Sequence, residues 1–537
     1  MRILVVLCFF ALQITPVSAQ KPKIVIGVVV DQMRYDFLYR YECQYTNDGF
    51  KRLMREGTNC TNTHYPYYQT VTAAGHATVY TGSVPAHHGI IGNSWYDRES
   101  MRNIYCTEDK SVTGVECSDR VGQRSPRNMW STTIGDQLKL SNNFKSKVYG
   151  ISIKDRGAIL PAGHSANSAL WFDYVSGKFI SSSFYGDKLP ASVVSFNNKK
   201  RPHHYVQKPW ELILPITQYT QSTVDDVPWE GISDLEEQSV FPHLLKAPFN
   251  NPFSELTSSP HGNTILFELA KEIIEGEKLG SSDVIDMLCI SFSSPDLIGH
   301  RFGPNSIETQ DTYLRLDKEM GEFLKYLDKR YGVGNYLMFL TADHGVMDVP
   351  GFWKANKLPA YGVSDISMKK VINEALSAKY GNHLFIAAQA SVHEEVFFDQ
   401  AVLDSLKLSF KDIHDVLYPI VIKLPHVANF INLRDFENTP ISGHLKNFIR
   451  NGYNNQRTGD MLIVNKPGTI MGYKTGTGHG TPYEYDTHVP LLFFGTGIPA
   501  GEINTRVSVS DIASSIANKL KILSTSNNTG EPVWGKQ

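Results

Sequence analysis

KIVIGVVVDQMRYD, residues Lys23–Asp36, is the stretch that decides the fold. From Ile24 to Val30 every position is apolar or Gly, mostly β-branched, and the run stops abruptly at Asp31. A strand without a polar face is buried on both sides, as in a parallel sheet covered by helices. Similar runs recur at Val148 to Ile153, Val284 to Phe292, Tyr336 to Thr341 and Val489 to Phe494. Helical patterns such as Asn263 to Glu277 and Ile307 to Tyr331 separate them; in the first, Ile265, Leu269 and Ile273 repeat every four residues and leave Glu and Lys on the other face. The alternation predicts an α/β fold with a central, mostly parallel sheet flanked by helices. Two stretches break it. One, about 157–260, is rich in aromatics and Pro and holds the hairpin-like ALWFDYVSGKFISSSFY. The other, about 347–478, mixes short helices with strands such as NFINL and DMLIV. Both read as insertions over the carboxyl ends of the strands.

At the amino end, residues 1–19 read as a secretory signal peptide: one Arg, an apolar run from Ile3 to Leu12, then small residues ending Val17-Ser18-Ala19. That run is too short to span a bilayer, and no later one approaches the roughly 20 residues required. The expectation is an exported chain, periplasmic or secreted, with no membrane span. Lys+Arg 52 against Asp+Glu 54, without runs of like charge, provides no field for nucleic acid. Beyond the signal the cysteines are Cys43, Cys60, Cys106, Cys117 and Cys289. In an oxidising compartment the simplest pairs are Cys43 with Cys60 and Cys106 with Cys117, although sequence alone fixes no connectivity. Cys289, in VIDMLCISF, reads as a buried thiol. The sequons at Asn59 and Asn527 carry no weight without a known source.

Ligands of parallel sheets bind at the carboxyl ends of strands. The residues following the runs are Asp31; Lys154 and Arg156; Asp296, with His300 four residues on; and Asp343-His344. To these the chain adds His479 in the Gly-rich GTGHGTPYEYDTH, and Thr72 opening a helical TAAGHATVYTG. The ligands suit two zinc ions, one held by Asp296, His300 and His479, the other by Asp31, Asp343, His344 and the oxygen of Thr72. Such a pair can grip the attacking and departing oxygens of a displacement at phosphorus. Thr72, at a helix start, is then the nucleophile, because a neighbouring cation lowers its pKa. Lys154 and Arg156 alternate around Asp155, which puts two cations on one face.

Order and spacing resemble the alkaline phosphatase superfamily, and within it the type I phosphodiesterase/nucleotide pyrophosphatase family with a Thr nucleophile. TVTAAGHAT, GNSWYDR, KDRGAILPAGH, SPDLIGHRFGP, TADHG and GTGHGTPYEYDTHVPLL are similar to its monoesterase branch, the phosphate-irrepressible periplasmic alkaline phosphatases. The resemblance implies one alkaline phosphatase-like catalytic domain over residues 20–537, the two ligand sets given above, and Asn93, Lys154 and Arg156 as contacts of the phosphoryl oxygens. The expected activity is hydrolysis of small-molecule phosphate monoesters through a phosphothreonine intermediate.

Charge counting separates monoester from diester. Three carboxylates and an alkoxide nearly cancel two zinc ions, so Lys154 and Arg156 remain to meet a dianion. The alternatives are a diesterase of the same fold and an inactive secreted binding module, from which a ligand or the nucleophile is usually missing; here none is. A formylglycine sulfatase would need C-x-P-x-R, which is absent. His76 reads as a structural neighbour of the site and His488 as a supporting residue, or the substitute should His479 lie far away.

Overall fold

A computed structural model describes residues 21–246, 250–363, 365–387, 394–472 and 475–534. The signal-peptide reading at 1–19 lies outside these described residues. Five parallel strands form the centre: β1 Ile24–Val30, β2 Val148–Ser152, β3 Ser168–Asp173, β4 Asp286–Phe292 and β5 Tyr336–Thr341. β1 lies between β4 and β5, β4 pairs with β2, and β2 with β3. Antiparallel Leu491–Gly495 extends the β5 side and Lys178–Ser182 the β3 side, within a ten-stranded sheet. β1, β2, β4 and β5 are buried at every position, as expected of runs with no polar face.

Register levels the strand ends. Val30 pairs with Phe292, Val29 with Thr341, and Ser291 with Ser152. The residues that follow therefore emerge side by side on one rim. Helices cover the sheet: α1 Thr72–Thr81, α2 Asp155–Ala162, α3 Ser294–Phe302 and α4 Ile307–Tyr331 are the ones that shape the site.

The hairpin in the first irregular stretch differs from the expectation. Its two arms are β3 and Lys178–Ser182, strands of the main sheet rather than a roof over it. Its inward side chains, Phe172 and Phe179, join the main core, and that burial fixes the hairpin to the sheet. The later stretch does build a separate body. Glu395–Val396, Val427–Asn432 and Met461–Asn465 form a three-stranded sheet with its own core of Ile372, Leu376, Phe385, Ile413, Leu417 and Phe430.

The cysteine pairs are not formed. All five described cysteines are free: Cys43 is exposed on a short helical turn, whereas Cys60 is buried in a strand, and Cys106 is buried while Cys117 is half-buried. Cys289 is a buried thiol, as expected, with Sγ 3.7 Å from the Pro161 carbonyl oxygen.

Candidate active site

Every ligand expected at a strand end stands on the shared rim. Asp31 follows β1 directly, Asp343 and His344 follow β5 after one residue, and Asp296 with His300 projects from the first and last turns of α3. His479 arrives from a loop far along the chain and completes the group: its ring stacks on His344 at 3.5 Å, and its centroid is 5.1 Å from that of His300.

The three imidazoles share one arrangement. Nδ1 of His300 meets the Thr477 carbonyl at 2.8 Å, Nδ1 of His479 the Thr70 carbonyl at 2.8 Å, and Nδ1 of His344 the Gly345 carbonyl at 2.9 Å. A carbonyl only accepts, so each Nδ1 carries a proton, and in the neutral rings of His344 and His479 Nε2 carries the lone pair; burial works against a charge on His300, but the Asp296 carboxylate more than offsets it and raises its pKa. Those Nε2 atoms face carboxylate oxygens: His300 and His479 approach Asp296 Oδ1 at 3.2 and 3.6 Å, and His344 approaches Asp31 Oδ1 at 3.4 Å and Asp343 Oδ2 at 3.5 Å. At His344, whose Nε2 has no hydrogen-bond partner, lone pairs face lone pairs and repel. Separations near 3.4 Å are the edges expected of a tetrahedron with metal–ligand bonds of about 2.0–2.2 Å.

Asp31 Oδ1, Asp343 Oδ2 and His344 Nε2 are buried without a hydrogen-bond partner. The donors fall into two overlapping sets, Asp31 with Asp343 and His344, and Asp296 with His344 and His479. The residues thus fit divalent cations. Burial, reinforced by the Asp296 and Asp343 carboxylates, pushes the Asp31 pKa well above the usual carboxylate range. Burial also lowers the pKa of His344 and, well below the ordinary value, that of His479, which keeps both imidazoles neutral and able to ligate.

Thr72 is the first residue of α1 and is buried. No side chain caps that helix, so Thr72 is not a cap but stands inside its first turn. Asn93 Oδ1 accepts from the Ala73 N–H at 2.9 Å, which leaves the Asn93 amide hydrogens to donate elsewhere. Arg156, in the first turn of α2, donates from Nη1 to the Tyr105 hydroxyl at 3.1 Å, while its buried Nε has no partner. The Lys154 ammonium bridges Asp31 Oδ2 at 2.7 Å and Asp296 Oδ2 at 2.5 Å, one carboxylate from each expected ligand set. Burial disfavours its charge, but those two carboxylates more than compensate and raise its pKa.

Sequence reasoning overlooked Gln32. Its Nε2 donates to Asp296 Oδ1 at 2.8 Å and its backbone N–H to Asp343 Oδ1 at 3.1 Å, so it ties β1, α3 and the β5 end together. It does so from a left-handed backbone with φ 66°. A Cβ on Gly299 would lie 1.9 Å from Gln32 Oε1, which explains the Gly in SPDLIGH. The unbranched amide after Asp31 was the available signal, but only the fold shows what it reaches. His76 has the supporting place expected of it: Nδ1 lies 2.8 Å from the Thr72 carbonyl and 3.3 Å from Asp343 Oδ2, and Nε2 lies 2.8 Å from Ser291 Oγ. His488 is not drawn into the cluster. It bonds the Thr61 carbonyl at 3.0 Å and stacks on Tyr35 and His64.

Comparison with known proteins agrees with this geometry. The sequence matches the family described as type I phosphodiesterase / nucleotide pyrophosphatase over residues 25–489. Alkaline phosphatase PafA of Elizabethkingia meningoseptica is 44% identical over 520 residues, covering 96% of this chain and 94% of that one. Alkaline phosphatase PhoV of Synechococcus elongatus is 43% identical over 518 residues, covering 96% and 93%. The crystal structure of wild-type PafA superposes with a TM-score of 0.91 at 44% identity, over 96% of this chain and 98% of that one. The chain belongs to the type I phosphodiesterase / nucleotide pyrophosphatase family. With these relatives it is an enzyme of the alkaline phosphatase superfamily, and its fold is theirs.

Proposed function

We propose that this alkaline phosphatase is an exported, zinc-dependent phosphomonoesterase that works through a phosphothreonine intermediate. The observation that carries the reading is the inward convergence of three imidazole Nε2 atoms on three carboxylates. Asp31, Thr72, Asp343 and His344 would hold one zinc ion, and Asp296, His300 and His479 the other. Bound there, the ions supply Lewis acidity toward phosphoryl oxygens and lower the pKa of the coordinated hydroxyl. Nitrogen-rich ligation favours zinc over magnesium.

The Thr72 oxygen attacks phosphorus and the alcohol departs on the opposite side, toward His300 and His479. Water then cleaves the phosphothreonine. Asn93 Nδ2 and the unpartnered Arg156 Nε donate to the non-bridging oxygens, and once other cations offset Asp31 and Asp296 the Lys154 ammonium joins them. Two fixed cations and an amide suit the three oxygens of a dianionic monoester, whereas a diester replaces one of those oxygens with a bulky substituent. Residues 20–537 act as one catalytic unit, with 347–478 over the sheet end. Its partners are small phosphate esters, and among the described residues no helix is long and apolar enough to cross a membrane.

The test joins metal analysis of the purified protein to kinetics of Thr72→Ala on an aryl phosphate monoester and its matching diester. Bound zinc, monoester preference and loss of turnover in the variant are expected. Full activity of Thr72→Ala ends the nucleophile assignment, and a large diester preference ends the role given to Lys154 and Arg156.

A further inference from the structure

His488 stands outside the strand-end cluster, and its own surroundings form a second one. It lies directly across an antiparallel bridge from His64, in the short strand Thr63–His64. The flanking bonds, Tyr65 N–H to the Thr487 carbonyl at 3.0 Å and Val489 N–H to the Thr63 carbonyl at 3.1 Å, make this a non-hydrogen-bonded pair, the kind that brings opposite side chains closest. The two rings stack at 4.4 Å, and Tyr35 stacks on His488 at 4.2 Å. Glu484 opens the short helix Glu484–Thr487, four residues before His488.

The protons on both rings can be assigned. Asn62 Nδ2 donates to the Asn504 carbonyl at 3.4 Å, so its Oδ1 is what meets His64 Nε2 at 2.8 Å, and that nitrogen carries the proton. His488 Nε2 donates to the Thr61 carbonyl at 3.0 Å. Burial, with Arg506 nearby, pushes the His64 pKa down to about 3, and burial lowers that of His488, so both rings are neutral and each Nδ1 keeps its lone pair. His64 is 4% exposed; its Nδ1 is buried without a hydrogen-bond partner and faces Glu484 Oε2 across 3.5 Å. One donor atom from each of the three residues lies within 4.8 Å of the others. The pattern at His344, a lone pair against a carboxylate with no proton between them, is repeated. Arg506 opposes a positive charge here, but it is exposed to screening solvent, and on His488 the Glu484 carboxylate outweighs it.

We propose that His64 Nδ1, His488 Nδ1 and the Glu484 carboxylate hold a divalent cation of their own, zinc by their donor set, which staples the loop carrying His479 to the strand at His64. Two imidazoles and a carboxylate suit zinc, with a fourth position open to water beside the exposed Glu484. The segment it fastens runs into the catalytic rim. The Asp486 carbonyl accepts from the Gly345 N–H at 2.7 Å, and Asp486 Oδ2 accepts from the Thr481 N–H at 2.8 Å, two residues after His479. Three donors, one of them exposed, bind more weakly than the buried rim, so this site fills last.

Equilibrium dialysis of the full chain against zinc at about pH 7.5, followed by metal analysis, counts the site. Wild-type protein should bind about one equivalent more than His488→Gln, whose amide can still donate to the Thr61 carbonyl but offers no imidazole. Glu484→Gln, an exposed change, should weaken that equivalent about tenfold or more, since losing a mere supporting partner of a ligand costs as much. Filling the site should raise the wild-type thermal midpoint by about 2 °C, and in His488→Gln the midpoint should stop rising one equivalent sooner. Should His488→Gln fail to fold, Glu484→Gln decides alone. Equal zinc content and affinity in wild type and the folded variants, or midpoints that level off at the same zinc ratio, overturn the inference. The difference between proteins counts this site alone; failure of the strand-end zinc assignment would instead lower the content of every protein alike.

Discussion

Asp31 and Asp311 are both fully buried aspartates, and their surroundings could hardly differ more. Asp311, on α4, accepts from Trp210 Nε1 at 2.7 Å, the Ile213 N–H at 3.0 Å, the Tyr219 hydroxyl at 2.5 Å and Arg315 Nε at 2.6 Å. Its charge is met by its own chain, and the cluster fastens the 210–219 segment to the helix. Asp31 has one side-chain donor, the Lys154 ammonium, and its other oxygen lies 3.4 Å from His344 Nε2 without a hydrogen bond from the chain. The arginines repeat the contrast. Arg315 is spent on Asp311 and on the Glu211 carbonyl, whereas Arg156 keeps a buried Nε unpartnered. A buried charge that the chain satisfies is structural; one that it leaves short of partners marks where something else must bind.

The sharpest way to break this contrast is Thr72→Ala, which should cost roughly a thousandfold or more in kcat on an aryl monoester. Because Thr72 caps no helix, its thermal midpoint should barely move. A comparable loss with a large fall in midpoint would make Thr72 structural. Next in size is Asp31→Asn against Asp311→Asn. The first should abolish zinc-dependent turnover yet raise the thermal midpoint of the metal-free protein, because it removes one of three crowded carboxylates. The second should lose about 3 kcal/mol in denaturant unfolding and retain its turnover per folded molecule. Equal effects of the two on stability would erase the distinction.

Smaller effects sharpen the same boundary. Arg156→Ala and Lys154→Ala should lower monoester kcat/KM about tenfold to a hundredfold, and diester kcat/KM less. Equal losses on both substrates would remove the charge argument. Asn93→Ala should be the mildest, about tenfold on the monoester, since one neutral donor is lost. Chelation followed by zinc add-back tracks all of these: metal-free protein should be inactive and recover on titration with about two equivalents.

Much of this was legible in one dimension. Runs such as Ile24–Val30 and Tyr336–Thr341 have no polar face, and only a doubly covered parallel sheet can bury them. Since each run ends abruptly, the charged residues just beyond it were visible as a set. The hairpin of β3 and Lys178–Ser182 was not, because aromatic alternation in a hairpin looks alike whether its face packs on a roof or on the main core. Gln32 was invisible for a similar reason: its partners Asp296 and Asp343 lie 264 and 311 positions away. Paired spacing of cysteines suggested disulfides, but a bridge needs the two Cα atoms within about 7 Å, which sequence spacing does not fix, and Cys43, Cys60, Cys106 and Cys117 are all free.

The sequence by itself determined the strand order of chemistry: which side chains end the buried runs, and that they comprise enough aspartates and histidines for two cations beside one threonine. That much follows from local pattern, because hydrophobic periodicity specifies where a strand must stop. Tertiary structure alone decided that the imidazoles turn Nε2 inward, that Lys154 spans two carboxylates, and that Gln32 ties Asp296 to Asp343. Those depend on backbone carbonyls and loops brought together from hundreds of residues apart, and hydrogen bonds of that kind exist only after the sheet has levelled its strand ends.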